Sequence, residues 1–422
     1  MSVRRGRSAS FKVWARLLIA LMVGAGGAGP AAASVVTVRG TDILLDGVPL
    51  VGNGASGLDR LSDLKATGAT VLRTYGEEPG EILDAAQRAG LKVVVGFWME
   101  HPRRGFDYGN RPAAEAQLGE LRKMVERYRT HPALLAWAVG NEVETELTPE
   151  QAAQVWPAIE EAARLVKTLD GAHPVMAVLA DTGADKVSLL KQQAPSVDLL
   201  GLNVYGDSAL SIVARARSQG WSGPILITEL GALGQWQAGK TAWGAPVELT
   251  STEKADKMRR YLAGFAQAKV AAMPFYWGQK QEVTPTWHSL FLPSGEWTEP
   301  VEVMAEVWGG KPPGGPNHAP RILSLRLDGP ASLAAGSSAK ALVAASDPDG
   351  DPLKVEWQIM AEQKVRGVGG DAEPIPPSFP VRNPGVTEAT IADLEPGQYR
   401  LFVTVKDGRG AAATGNLPFE VR

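Results

Sequence analysis

Between residues 48 and 277, short unbroken apolar runs alternate with longer stretches in which apolar side chains recur every three or four positions. The runs fall at 48–52, 70–75, 92–98, 134–142, 174–180, 197–205, 224–229 and 273–277. A strand that is continuously apolar, rather than alternating, is one covered on both faces, as in a parallel sheet. The stretches between them have helical period. In the fourth, Val155, Trp156, Ile159, Ala162, Ala163 and Val166 line one side, behind Thr148-Pro149-Glu150 as cap and first turn. Eight strand–helix alternations in about 260 residues is the span of a (β/α)8 TIM barrel. An open doubly wound sheet is the competing architecture. It would carry a glycine-rich phosphate loop after its first strand, and Gly52-Asn53-Gly54-Ala55-Ser56-Gly57 is only a loose version of one.

Ahead of the first run, 35–38 and 43–45 read as a short hairpin that leads through Asp46-Gly47 into 48–51 and would plug or precede the main fold. Beyond the last, residues 312–320 (Pro-Pro-Gly-Gly-Pro-Asn-His-Ala-Pro) have the composition of a linker. The pattern then changes to short, often alternating segments at 322–327, 338–345, 353–359, 388–391, 399–405 and 417–421, separated by Gly, Pro and Asp. That is the pattern of a small all-β sandwich over 321–422. The expected division is therefore a leader at 1–33, a barrel at 34–311, the linker at 312–320 and the sandwich at 321–422.

The leader is assigned by charge as well as hydropathy. Arg4, Arg5, Arg7, Lys12 and Arg16 precede an apolar stretch from Leu17 that ends in Ala31-Ala32-Ala33. Basic residues, an apolar core and a small-residue cleavage site make a secretory signal peptide, and the apolar stretch is shorter than the roughly 20 residues a spanning helix needs. The expected destination is the periplasm or the extracellular space, with no transmembrane anchor left after cleavage. Removing 1–33 leaves 38 basic against 46 acidic side chains, a formal charge of −8, which argues against nucleic acid as a partner. The absence of cysteine excludes a thiol nucleophile, a disulfide framework and thiolate metal sites. The five histidines show no zinc spacing, so no zinc site is expected, and the chemistry read below requires no cofactor.

Two of the apolar runs close on carboxylates. Leu134 to Val139 is followed by Gly140-Asn141-Glu142, and Pro224 to Thr228 by Glu229. In a barrel the loop-bearing strand ends converge on one face, and strands four and seven lie across the mouth from one another. Two carboxyl groups about 5 to 5.5 Å apart there would suit hydrolysis of a glycoside with retention of configuration. One would attack carbon while the other, its pKa raised by burial or by a neighbouring carboxylate, would move protons.

The stretch from His131-Pro132 to Gly140-Asn141-Glu142 resembles the strand-four signature of clan A glycoside hydrolases, and most of all the catalytic barrel of glycoside hydrolase family 2. Val71-Leu72-Arg73-Thr74-Tyr75 is similar to that family's second strand, Gly201-Leu202-Asn203-Val204-Tyr205-Gly206 to its sixth, and Ile227-Thr228-Glu229-Leu230-Gly231 to its seventh. The resemblance implies Glu142 as general acid/base and Glu229 as nucleophile. Asn141 would hydrogen-bond the sugar 2-hydroxyl, Tyr205 would orient Glu229, Arg73 would keep it ionised, and Trp277 on strand eight would floor the reactive sugar's subsite. The implied partner is a β-linked oligo- or polysaccharide. Only the leader and the hairpin stand where family 2 carries sugar-binding and sandwich domains, and β-glucan-processing clan A families, transglycosylating ones included, share the same four motifs.

Plainer readings stand beside these. An Asn-Glu pair after a strand is often a solvated loop, and Arg73 could be a structural ion pair. Glu100, Asp181, Gln279 and Glu282 also follow strands and read as loop residues. Trp98, Trp236, Trp243, Trp277 and Trp287 fall in or beside strand-end loops, whereas Trp137 and Trp156 fall on core faces. In the last segment Asp347-Pro348-Asp349-Gly350-Asp351 resembles acidic loops of bacterial Ig-like and cadherin-like modules, some of which hold calcium, but it lacks the rest of a twelve-residue calcium loop and a metal-free turn is the favoured reading. Two rivals to a hydrolase remain: a β-glucan transglycosylase using the same two glutamates, and a carbohydrate-binding protein on a barrel that no longer catalyses.

Overall fold

The computed structural model describes residues 34–367, 370, 371 and 373–422. The expected signal peptide at 1–33 lies outside the described residues. Eight parallel strands follow one another in a single sheet: β1 (Gly54–Ser56), β2 (Val71–Arg73), β3 (Lys92–Phe97), β4 (Leu134–Val139), β5 (Val175–Ala180), β6 (Leu199–Tyr205), β7 (Ile225–Gly231) and β8 (Ala271–Pro274). A parallel bridge between Ser56 and Phe275 joins the last strand's end to the first and closes the barrel. Each strand is followed by a helix: α1 (Leu61–Ala66), α2 (Gly80–Ala89), α3 (Arg111–Tyr128), α4 (Pro149–Leu169), α5 (Lys186–Gln193), α6 (Ile212–Ser218), α7 (Ser251–Gln267) and α8 (Glu299–Trp308).

The strands read as unbroken apolar runs because they serve two cores. On β4, Leu134, Trp137 and Val139 pack outward into the layer beneath the helices, while Leu135, Ala136 and Ala138 pack into the barrel interior. Alpha-4 buries the six residues that its periodicity selects, and its Thr148 cap is a capping box. The Thr148 hydroxyl accepts from Gln151 N at 3.2 Å, and the Gln151 side chain accepts from Thr148 N at 2.9 Å. Such a cap contributes about 1 kcal/mol, and each buried branched side chain on the inner stripe roughly 1.5–3 kcal/mol.

The first strand is not where hydropathy put it. Val48–Pro49 turns back on Asp42–Leu45, which itself pairs with Val36–Arg39, so the expected strand at 48–52 is the third strand of an antiparallel ribbon. Barrel strand β1 is Gly54-Ala55-Ser56, inside the stretch read as a loose phosphate loop. Its small residues are a packing requirement, since a Cβ on Gly54 would sit 1.9 Å from the Val71 carbonyl oxygen on β2. The ribbon does plug the barrel: Val36 and Ile43 share the interior cluster with Val71, Val94, Leu135, Met176, Leu226 and Met273.

The chain beyond 320 forms two packed sheets. One is β9 (Arg321–Asp328), β11 (Ala339–Ser346) and β14 (Glu388–Ile391). The other runs β16 (Ala411–Val421), β15 (Gly397–Lys406), β12 (Lys354–Ala361), β13 (Ser378–Phe379), with β10 (Ser332–Leu333) also on β16. Ala341 and Ile391 from the first sheet meet Ile359, Leu401 and Phe419 from the second in one core. This domain is built into the barrel. Trp297 and Thr298, just before α8, pair in parallel with Ala411 and Ala412 of β16. Arg400, 2% exposed, reaches Glu362 at 2.8 and 3.0 Å, Asn416 at 2.8 Å and the Pro246 carbonyl at 2.8 Å. Glu248 from the barrel accepts from Lys254 and Thr284 at 2.6 Å and from Asn416 at 2.5 Å. Burial pushes the Glu248 carboxyl up, but the Lys254 ammonium and these donors outweigh it and hold it below its ordinary value.

Candidate active site

At the carboxyl end of the barrel the interior changes from apolar to charged within one turn of chain. Beta-4 ends at Val139; Gly140 (φ 76°) and Glu142 (φ 55°) both take left-handed backbone, which swings the chain out of the sheet. The new course is fixed by Gly140 N donating to Phe97 O at 3.0 Å and Glu142 N donating to Val178 O at 2.9 Å. Asn141 is buried and Glu142 partly so.

Five of the six residues singled out in the sequence meet there. Arg73, 1% exposed at the end of β2, donates through Nη1 to Glu229 Oε1 at 3.1 Å and through Nη2 to Asn141 Oδ1 at 2.7 Å. Tyr205, at the end of β6, donates its phenol hydrogen to Glu229 Oε2 at 2.7 Å. Each oxygen of Glu229 is thus held by a different strand, which fixes the plane of the carboxylate. The Arg73 guanidinium also lies 4.2 Å from the centre of the Tyr75 ring, a cation–π contact that closes its other side. Burial and the charge of Glu229 push both the Tyr75 and the Tyr205 phenols well above their ordinary range, so both keep their protons and Tyr205 remains a donor.

Asn203, which sequence reasoning quoted within the strand-six motif without giving it a role, joins the two glutamates' surroundings. Its Nδ2 donates to Asn141 Oδ1 at 3.0 Å and to Glu142 Oε1 at 2.8 Å, while its Oδ1 accepts from the Thr228 hydroxyl at 2.8 Å. The Asn141 oxygen, itself fixed as an acceptor by Arg73, decides which way the amide faces, and the Thr228 hydroxyl adapts to it. Arg73 Nη1 and the Ser56 hydroxyl converge on the Thr228 carbonyl at 3.1 and 2.9 Å, so β1 and β2 brace the base of β7. The available signal was a polar residue inside a buried strand, two positions before Tyr205 and so on the same face.

Glu142 and Glu229 therefore stand in one hydrogen-bonded chain, Glu229–Arg73–Asn141–Asn203–Glu142. Their electrostatic settings differ. Burial pushes the Glu142 carboxyl up to about 7, and the negative charge of Glu229 adds to the effect, while the Asn203 donor opposes it. Glu229 instead has a guanidinium and a phenol on its two oxygens. One carboxyl raised towards neutrality by burial and a second with a donor on each oxygen are the two settings that acid–base chemistry with a carboxylate nucleophile calls for.

Trp277 does not join them. Its ring is 0% exposed, packs edge-on against Phe291 at 4.8 Å, and donates its indole N–H to the Asp59 carbonyl at 2.8 Å. No face is left for a sugar, so the expectation of a platform at Trp277 is corrected. Beta-8 ends at Pro274, and the half-buried rings of Phe275 and Tyr276 lead out of the barrel ahead of it. Glu100 and Gln279 are exposed, and Asp181 pairs with Arg215 away from the network. Glu282 is buried beside the site, against Gln235 at 3.2 Å, Lys280 at 3.3 Å and His288 at 3.6 Å. Burial and the cations Lys254 and Lys280 push His288 down to about 3, so it is neutral where its ring meets those of Tyr205 and Phe275. A loop of the C-terminal domain also reaches the mouth: Arg104 pairs with Asp371 at 2.7 Å, Lys280 donates to the Gly370 carbonyl at 2.8 Å, and Glu373 accepts from Val283 N at 2.7 Å.

Away from the barrel, Asp347, Asp349 and Asp351 place one carboxylate oxygen each within 4.8 Å of the others. Asp347 Oδ1 accepts from Asp349 N at 2.9 Å and Asp351 N at 3.1 Å, and Arg409 lies on Asp351 at 3.1 Å. These are the bonds of a closed turn, with oxygens spaced as a hard cation would take them.

The fold is a (β/α)8 barrel with glutamates at the ends of strands four and seven, the arrangement that the sequence motifs led one to expect. Solved structures that it resembles include β-glucuronidases. That of Ruminococcus gnavus, in complex with a C6-substituted uronic isofagomine, aligns with TM-score 0.53 at 16% identity over 65% of this chain and 52% of that one. Bacteroides uniformis β-glucuronidase 2, covalently bound to cyclophellitol-6-carboxylate aziridine, aligns with TM-score 0.50 at 13% identity over 92% of this chain and 48% of its own. At these identities the likeness is one of fold, and it agrees with the family 2 barrel that the sequence motifs resemble. A Formosa agariphila protein named "Putative beta-glucuronidase" is 28% identical over 98 residues, 22% of this chain and 9% of that protein. The chain thus spans about half the length of the solved structures and a small part of the curated relative. No protein-family model matches it.

Proposed function

We propose that this chain is an exported retaining β-glycosidase with Glu142 as general acid/base and Glu229 as nucleophile. The observation that carries the reading is the single network binding both glutamates, with the Glu142 carboxyl pushed up to about 7 and Glu229 held between Arg73 and Tyr205. In the first step Glu142 gives its proton to the glycosidic oxygen as the bond to the anomeric carbon breaks, and a Glu229 oxygen bonds to that carbon. In the second, the Glu142 carboxylate takes a proton from water, whose oxygen displaces Glu229 and leaves the sugar with its original configuration. Arg73 and Asn203 both donate to Asn141 Oδ1, which turns the Asn141 amide hydrogens to the other side, where a sugar hydroxyl can accept one.

The reading of β-linked substrates, and of uronic acids among them, follows the β-glucuronidases that share the fold, so aryl β-glucuronides come first in any screen. Export rests on residues 1–33; among the described residues no helix is long and apolar enough to cross a membrane. The test is a panel of aryl β-glycosides and β-linked polysaccharides with Glu229→Gln and Glu142→Gln as controls. Turnover lost in the first, and partly spared in the second for substrates with good leaving groups, is the expected result. Full activity of Glu229→Gln would overturn the assignment. Longer products in place of free sugar would move the chain to the transglycosylases, and measurable binding without turnover to the non-catalytic reading.

A further inference from the structure

We infer that Trp236 is a stacking platform for a second sugar unit, joined to the one that reacts. This deepens the glycosidase reading and rests on it for the placement of the reactive sugar. With Trp277 sealed in the core, Trp236 is the exposed large aromatic at the barrel mouth among the described residues: 60% of it is exposed, in the loop that follows β7 and five positions past the end of the strand that carries Glu229. Its ring centre lies 5.2 Å from that of Tyr205 at an interplanar angle of 73°, and Tyr205 is the residue that holds Glu229. The exposed ring is therefore one side chain removed from the proposed nucleophile.

The ring is also held in place, which separates it from an aromatic that happens to lie on a surface. Residues 234–237 form a turn closed from both sides, Gln237 N donating to the Gly234 carbonyl at 2.9 Å and Gly234 N donating to the Gln237 side-chain oxygen at 3.1 Å. Gln237 Nε2 donates to the Tyr205 carbonyl at 3.1 Å, and the Trp287 indole donates to the Leu233 carbonyl at 2.9 Å, so the turn is stapled to the site and to the core. The indole lies over Gly234 so closely that a Cβ there would fall 2.5 Å from its Cε2 atom. Glycine lets the ring lie down on the backbone and turn its remaining surface outward. A pyranose presents axial C–H groups on one face, and a pre-positioned aromatic surface receives such a face at little cost in side-chain entropy. Trp236 is a binding residue, not a catalytic one.

Two measurements test this. The first compares kcat/KM for an aryl monoglycoside with that for a β-linked tetrasaccharide of the same sugar, in the wild type, Trp236→Ala and Trp236→Tyr. Trp236→Ala should lower the tetrasaccharide value by about five- to tenfold, chiefly through KM, and at least five times as far as the aryl monoglycoside value, with Trp236→Tyr recovering most of it. An equal loss on both substrates would mean that the ring supports Tyr205 or the reactive sugar, and no loss would mean that it is idle; either overturns the proposal. The second titrates neutral and uronic-acid-containing β-linked tetrasaccharides into Glu229→Gln protein with and without Trp236→Ala, following binding by calorimetry. Binding weakened by Trp236→Ala in protein of unchanged melting temperature supports the platform even if the wild type turns nothing over, so the failure of the glycosidase reading and of this one are told apart. Absence of tetrasaccharide binding, or binding indifferent to the substitution, overturns it.

Discussion

The two ends of the barrel use the same eight strands for opposite purposes. At the amino end the interior is filled by the ribbon's Val36 and Ile43 against Val71, Val94, Leu135 and Met176, with no charge among them. At the carboxyl end the same strands bury Arg73, Asn141, Asn203 and Glu229. The plug is held by area and packing, which are non-directional and tolerant of volume-conserving change. The mouth is held by directional bonds, each losing its value if one partner goes, because an orphaned buried polar group costs far more than the bond contributed. A truncation at the mouth should therefore cost both stability and chemistry, an isosteric exchange there chiefly chemistry, and a change in the plug stability alone.

The largest effect that would sharpen this contrast is at Glu229. Glu229→Gln should lower kcat by at least about 10⁴-fold while moving the melting temperature little; loss of folding instead of turnover would break the contrast. Next comes the opposite case at the plugged end. Leu135→Ala should cost about 2–5 kcal/mol in denaturant unfolding while the kcat of the protein that remains folded stays near wild type. A kcat loss there comparable with that of a mouth substitution would show that the ends are not separable.

Glu142 gives a pH-dependent version of the same test. Its folded pKa is raised from 4.5 to about 7, so the stability associated with its proton is complete below 4.5 and is lost as pH rises through 7. Glu142→Gln removes that loss, and should stabilise the protein by roughly 2–3 kcal/mol at pH 8 and by nothing at pH 4, read from melting temperature across pH. The smallest effect is at Asn203. Asn203→Ala should lower kcat/KM by about 10- to 100-fold; it also removes a bond that favours the ionised Glu142, so the alkaline limb of the pH–rate profile, set near 7 in the wild type, should move upward. A limb that moved down would mean that another group titrates there.

How much of this was legible beforehand divides along the same line. Runs such as 134–142 and 224–229 could be read because burial on both faces leaves a continuously apolar composition, and Glu142 and Glu229 stood out as carboxylates closing them. Beta-1 was hidden because Gly54-Ala55-Ser56 is selected for close approach to β2 and carries no hydropathy signal. The exchange of roles between Trp277 and Trp236 was not readable, since Phe291 and Asp59 bury the one, and Gly234 with Tyr205 props up the other, through contacts between separate loops. The linker composition at 312–320 suggested a tethered domain. Arg400 and Glu248 instead join it to the barrel through buried polar bonds between residues more than 150 positions apart, a separation no local pattern records.

The central assignment is tested most directly by trapping. An aryl 2-deoxy-2-fluoro-β-glycoside of the sugar that the panel identifies should inactivate the protein with time. Proteolysis and mass spectrometry should then place one glycosyl group on the peptide containing Glu229, with no adduct on Glu229→Gln protein. A label on any other residue, or continued turnover that releases the inverted anomer without an adduct, would contradict the assignment of Glu229 as nucleophile.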